Sequence, residues 1–136
     1  MNDPKILDFL EKRSVGFARV CGIEYVEASR GHCLVSMHME ERFKNPQGFA
    51  HGGLLATLMD VAGGSAGLFA HGEARPIVTQ SCDIHYLRPV SGPLVLAEGL
   101  CLKAGRRSAI VQVNVRENED DRLCATGIFE ICYTDI

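Results

Sequence analysis

The chain has 136 residues, 46% of them hydrophobic, and a formal net charge of −3. That length and apolar content exclude a disordered chain and suffice for one domain whose core needs neither disulfides nor metal. The small net charge, without a basic stripe interleaved with aromatics, speaks against a nucleic-acid surface.

Asn2-Asp3-Pro4 is a helix start, a capping residue followed by proline in the first turn. An imperfect amphipathic pattern, "PKILDFLEKRSVGFARV", extends the expected helix over 4–20. "GIEYVEAS" alternates as a strand does, Arg30-Gly31 turns the chain, and "HCLVSMHM" reads as the returning strand of a hairpin. "EERFKNPQGFA" is a loop holding Pro46 and Gly48. An apolar helix begins near 51–53 and ends near His71-Gly72. Four strand-like runs complete the chain: "IVTQSCDIHYL", "LVLAEGLCLK", "RSAIVQVNVRE" and "RLCATGIFEICYT". They are separated by Arg88-Pro89 with Gly92-Pro93, by Ala104-Gly105-Arg106, and by an acidic turn at 118–121. The order α-β-β-α-β-β-β-β, with short turns late in the chain, implies an antiparallel sheet. A nearly all-apolar helix needs cover on most of its circumference, and a curved sheet wrapped round it supplies that cover. The pattern shows no repeat or linker, so residues 1–136 read as one α+β domain.

The apolar run from Gly52 to Ala70 carries one charge, Asp60. The run approaches the length of a membrane span, about 20 residues. Its five glycines, its threonine and serine, and that aspartate favour a helix enclosed by its own protein. Six cysteines at 21, 33, 82, 101, 124 and 132 form no C-x-x-C pair and fall mostly in apolar runs, where a thiol packs as a small hydrophobe. "MNDPKILDFLEKR" lacks the apolar core of a secretory leader, so reduced thiols and a cytoplasmic location are expected. The histidines at 32, 38, 51, 71 and 85 lack ligand spacing, so neither a metal nor another cofactor is expected.

"NPQGFAHGGLLATLMD", together with the element order, resembles the hotdog-fold thioesterases, specifically the PaaI-like group acting on acyl-CoA. The match rests on Asn45, His51, Gly52-Gly53 and Asp60 at their spacing. "HYLRPV" (85–90) and "KAGRRS" (103–108) also look like the family's later segments. Where the family often has a serine on the strand after the helix, this chain has Thr79. The resemblance implies a hotdog fold: a long central helix wrapped by a curved antiparallel sheet, with an N-terminal helix. It also implies hydrolysis of an acyl- or aryl-CoA, phenylacetyl-CoA-like or medium-chain, to free acid and CoA.

The residues permit that chemistry. N–H groups in a helix's first turn lack intrahelical partners and carry partial positive charge. Gly52 and Gly53 let a substrate approach them, or simply allow tight packing. The resemblance gives the Gly52 N–H the task of holding a thioester oxyanion. Asp60 lies eight residues further on, about 12 Å along a helix axis, too far to serve the same carbonyl. Either Asp60 is structural, or the two groups meet across subunits. The resemblance favours a homodimer with sheets joined edge to edge, sites at the interface, and assembly to a homotetramer. Asp60 is then expected to be buried in its own fold and to face an interfacial pocket. It would attack directly or through an activated water, and either role requires a carboxylate held charged, with Thr79 as the candidate donor. Asn45 could donate to the thioester carbonyl, orient water, or serve its loop. His51 shapes that loop or positions the carbonyl. Tyr86, Arg88, Lys103, Gly105, Arg106 and Arg107 are candidates for substrate binding, the cations toward the phosphates of CoA. A non-catalytic acyl-CoA binder would need the pocket without the carboxylate. A dehydratase on the same fold would need a histidine–carboxylate pair that this pattern lacks.

Overall fold

A computed structural model describes residues 2–118 and 120–136. Helix α1 (Pro4–Arg13) has Pro4 in its first turn and Asp3 as its cap, with Asp3 Oδ1 accepting from the Lys5 N–H at 3.0 Å. The helix expected over 4–20 breaks after Arg13: Ser14 is extended and Gly16 takes φ 65°. Glycine enters that region without a Cβ penalty. The chain restarts as a single turn, α2 (Phe17–Val20).

Strands β1 (Glu24–Ser29), β2 (His32–His38), β3 (Ile77–Tyr86), β4 (Leu94–Ala104), β5 (Ser108–Glu117) and β6 (Asp120–Tyr133) form one antiparallel sheet in the order β1-β2-β4-β5-β6-β3. The acidic turn expected at 118–121 includes Glu119, which lies outside the described residues. Helix α3 (Gly52–Leu68) lies in the concave face, and it ends three residues before the expected His71. No helix of the described residues is long and apolar enough to cross a membrane.

The sheet grips α3 unevenly. Leu54, Leu55, Leu58, Met59 and Ala62 are buried on one face of its first half, and beyond Ala62 the helix is buried all round through Leu68. Gly67 lets this half settle on β6, because a Cβ there would meet Ile131 at 3.0 Å. Gly99 does the same from β4, where a Cβ would lie 2.6 Å from the Ala62 carbonyl oxygen. The Tyr133 hydroxyl, also buried, donates to the Gly67 carbonyl at 2.7 Å. Of the cysteines, Cys21, Cys33 and Cys124 are buried, and burial pushes the Cys33 thiol up to about 12. Cys82 departs from the packing expectation and is exposed on β3.

The two sheet edges differ. On the β1 edge, the Asp3 N–H donates to the Ala28 carbonyl and the Ala28 N–H donates to Asn2 Oδ1, so the N-terminal segment covers it. On the other edge, β3 pairs only with β6 and is exposed over most of its ten residues.

Candidate active site at the head of the central helix

The loop before α3 is built on Asn45. Its Oδ1 accepts from the backbone N–H groups of Gln47 (3.0 Å) and Phe49 (3.1 Å), and its own N–H donates to the Phe49 carbonyl. That network fixes the amide's orientation and leaves Nδ2 as its free, donating end. Next, His51 caps α3: its Nδ1 accepts from the Gly53 N–H at 3.1 Å. The imidazole proton therefore sits on Nε2, and His51 faces outward as a donor rather than as a base. That cap spends the Gly53 N–H at the start of the helix. By contrast, the Gly52 N–H donates to no group among the described residues.

Gly52, Asn45, Tyr86 and Arg88 line one cavity of about 270 Å3. Tyr86 forms its wall. The hydroxyl donates to the Gly52 carbonyl at 2.9 Å, and a Cβ on Gly52 would touch the ring at 3.4 Å. Burial, then the nearby Cys82, pushes the Tyr86 phenol up, which keeps it a donor.

Asp60 stands two turns along the helix. The carboxylate expected to be buried is exposed, on the outward face it shares with Gly53, because the sheet cups only the opposite side of this half. Thr79 reaches it from β3, its hydroxyl donating to Asp60 Oδ1 at 2.6 Å. A bulge between Thr79 and Ser81 makes this compatible with Tyr86. Strict alternation from Thr79 would turn Tyr86 away from the helix. With Gln80 as the extra residue, Thr79 pairs with buried Ile131 and Cys82 with buried Phe129, so Thr79, Cys82 and Tyr86 share the inner face.

The basic turn lies elsewhere. Lys103, Gly105, Arg106 and Arg107 surround a separate cavity of about 350 Å3 beyond the far end of α3. His71, past that end, donates through Nε2 to the Gly105 carbonyl at 2.8 Å, and Arg75 donates to the Arg106 carbonyl at 2.9 Å. With its carbonyls tied down, the turn leaves three exposed cations without an ion-pair partner among the described residues. One chain therefore separates the candidates into three groups: the Gly52 cleft, the Asp60–Thr79 pair, and the basic turn.

A central helix wrapped by an antiparallel sheet, with glycines and an N–H unpartnered among the described residues at its head, defines a hotdog fold of the thioesterase type. The family model of the thioesterase superfamily matches residues 47–125, and the chain belongs to that superfamily. It is a thioester hydrolase. Human acyl-coenzyme A thioesterase 13 is 33% identical over 113 residues, 82% of this chain and 80% of the relative. Among solved structures, the conserved protein PA5202 of Pseudomonas aeruginosa is 34% identical with a TM-score of 0.84, over 90% of this chain and 97% of that one. The E. coli PaaI protein, from the phenylacetic acid degradation operon, shares the fold at 20% identity and a TM-score of 0.84, over 93% and 90% of the two chains.

Proposed function

We propose that this chain is an acyl-CoA thioesterase, one hotdog domain that acts in the cytoplasm as a homodimer, itself paired into a homotetramer, with each active site shared by two subunits. The observation that carries this reading is that α3 carries, about 12 Å apart along its axis, a Gly52 N–H unpartnered among the described residues and the exposed Asp60 carboxylate. A second copy packing its α3 antiparallel against this helix brings the Gly52 of one chain beside the Asp60 of the other. The free edge of β3 supports the same pairing, since an exposed ten-residue edge strand is a ready template for another strand. The similarity to human acyl-coenzyme A thioesterase 13 supports the CoA substrate class.

In this reading the thioester carbonyl points at the Gly52 N–H at the positive end of α3, which stabilises the oxyanion formed in the tetrahedral intermediate. Asn45 Nδ2 is the second donor in the same cleft. Asp60 of the partner subunit, held by its own Thr79, delivers the attack on the carbonyl carbon or takes the proton from the attacking water. CoA leaves as a thiolate, and where Asp60 itself attacks, water then cleaves the resulting mixed anhydride to give the free acid and restore the carboxylate. Tyr86 and Arg88 line the entry, and antiparallel helices bring the partner's basic turn round to the nucleotide end. The test is thiol release from a panel of acyl-CoAs. Turnover of at least one that is abolished by Asp60→Asn supports the assignment. Absence of turnover across short, medium, long and aryl acyl groups contradicts it.

A further inference from the structure

Asp60 also lines a second, smaller cavity that the sequence did not point to. Its volume is about 160 Å3, and it runs beside α3 between Leu10 of α1, Leu68 of α3 and Ile77 of β3. A cavity of roughly 150 Å3 lined by such side chains holds a benzene ring. This one therefore has room for a short acyl chain, and its apolar walls suit methylenes.

The polar groups here are donors. Ser65 Oγ donates to the Tyr25 hydroxyl at 3.3 Å, so the oxygen of Tyr25 is occupied as an acceptor. Apart from Ser65 Oγ, the Tyr25 proton meets no acceptor among the described residues, and it is free to turn toward a ligand. Burial pushes this phenol up, against the smaller opposing effect of Ser65, which keeps it protonated. Arg13, the last residue of α1, also lines the cavity. Its guanidinium lies 5.7 Å from the centroid of the Phe9 ring and forms no ion pair or hydrogen bond among the described residues. Apart from Asp60, then, the cavity offers a guanidinium without an acceptor among the described residues and a phenolic O–H with none beyond Ser65 Oγ. A carboxylate is acceptor-only and pairs with such donors, whereas a terminal methyl leaves both unused.

We infer that this cavity receives the acyl group and that Arg13 and Tyr25 select a short acyl chain ending in a carboxylate, the half-thioester of a dicarboxylic acid. The inference rests on Asp60 as the carboxylate at the scissile carbonyl: with the carbonyl at Asp60, the chain runs past Leu10, Leu68 and Ile77 to the donors.

Two thioesters of equal chain length isolate the effect, adipyl-CoA and hexanoyl-CoA. The quantity to read is the ratio of their kcat/KM values in the wild type, in Arg13→Gln and in Tyr25→Phe. The wild type should prefer adipyl-CoA by about fivefold, the upper scale of an ion pair made by an exposed arginine such as Arg13. Arg13→Gln should bring the ratio near one, Tyr25→Phe should lower it, and Arg13→Lys should keep part of it. Circular dichroism on each variant confirms that the fold is retained. A wild-type ratio near one, or a ratio that Arg13→Gln leaves unchanged because both substrates weaken alike, overturns the inference and leaves the thioesterase assignment standing. If the wild type hydrolyses neither these nor any other acyl-CoA, the assignment fails and this inference fails with it.

Discussion

Replacing Thr79 by valine removes one hydroxyl and keeps the branched shape that suits a strand. The hydroxyl lies 2.6 Å from Asp60 Oδ1, the short distance typical of a hydrogen bond to a charged acceptor. It is also the carboxylate's only hydrogen-bond donor among the described residues. A hydrogen bond to a charged group contributes about 1.5–3 kcal/mol, and exposure of both partners places this one at the lower end. At about 1.4 kcal/mol per factor of ten, kcat should fall about tenfold. KM should move little, because Thr79 acts through Asp60 and touches neither the Gly52 cleft nor the basic turn. Steady-state thiol release gives both constants, and urea unfolding should show little loss of stability. Thr79→Ser should recover most of kcat. A folded Thr79→Val protein with kcat within about twofold of wild type would refute the reasoning, since the hydroxyl would then do nothing for the carboxylate.

Asp60→Asn should retain acyl-CoA binding and lose about 10²–10⁴-fold in kcat, the scale of a positioned base. Calorimetric titration alongside thiol release separates the two effects. Gly99→Ala should destabilise the protein by at least about 1–3 kcal/mol, because its Cβ would lie 2.6 Å from the Ala62 carbonyl oxygen and neither backbone can yield easily. The shift in the urea midpoint measures this. Arg106→Ala and Lys103→Ala should raise KM for acyl-CoA more than they lower kcat, and should leave an acyl-pantetheine thioester, which lacks the nucleotide, unaffected. Equal losses on both substrates would remove the turn from nucleotide binding.

Much of this architecture was legible because the local signals are strong. Pro4 after a cap marks the start of α1, and the apolar run after His51 and glycine or proline at the late turns delimit α3 and β3 to β6 with errors of a few residues. The break at Gly16 was hidden, since apolar periodicity continues through Phe17 and Val20 while the backbone takes a conformation that favours glycine. Apolar content also misled on Asp60. A helix flanked by leucines and glycines reads as enclosed, yet the sheet covers only one side of its first half, and that asymmetry is a property of the fold. Nor did the Thr79 bulge leave a mark in composition, although it lets Thr79 and Tyr86 serve the same helix. The spending of the Gly53 N–H on His51 could have been read from histidine at a helix start, because an imidazole nitrogen two residues before a free N–H is a capping geometry. The Arg13–Tyr25 cavity joins four elements, α1, β1, α3 and β3, and no local pattern connects them.

The shared active site is tested most directly by a purified heterodimer. One chain, carrying one affinity tag, bears Gly52→Val, whose side chain would crowd Tyr86 and fill the cleft. The other chain, carrying a second tag, bears Asp60→Asn. Each homodimer is expected to be inactive. If each site takes Gly52 from one subunit and Asp60 from the other, the heterodimer holds one doubly altered site and one intact site, and its kcat per dimer should be about half that of wild type. If each site lies within a single chain, every site carries one lesion, and a tandem-purified heterodimer no more active than the two homodimers would contradict the account.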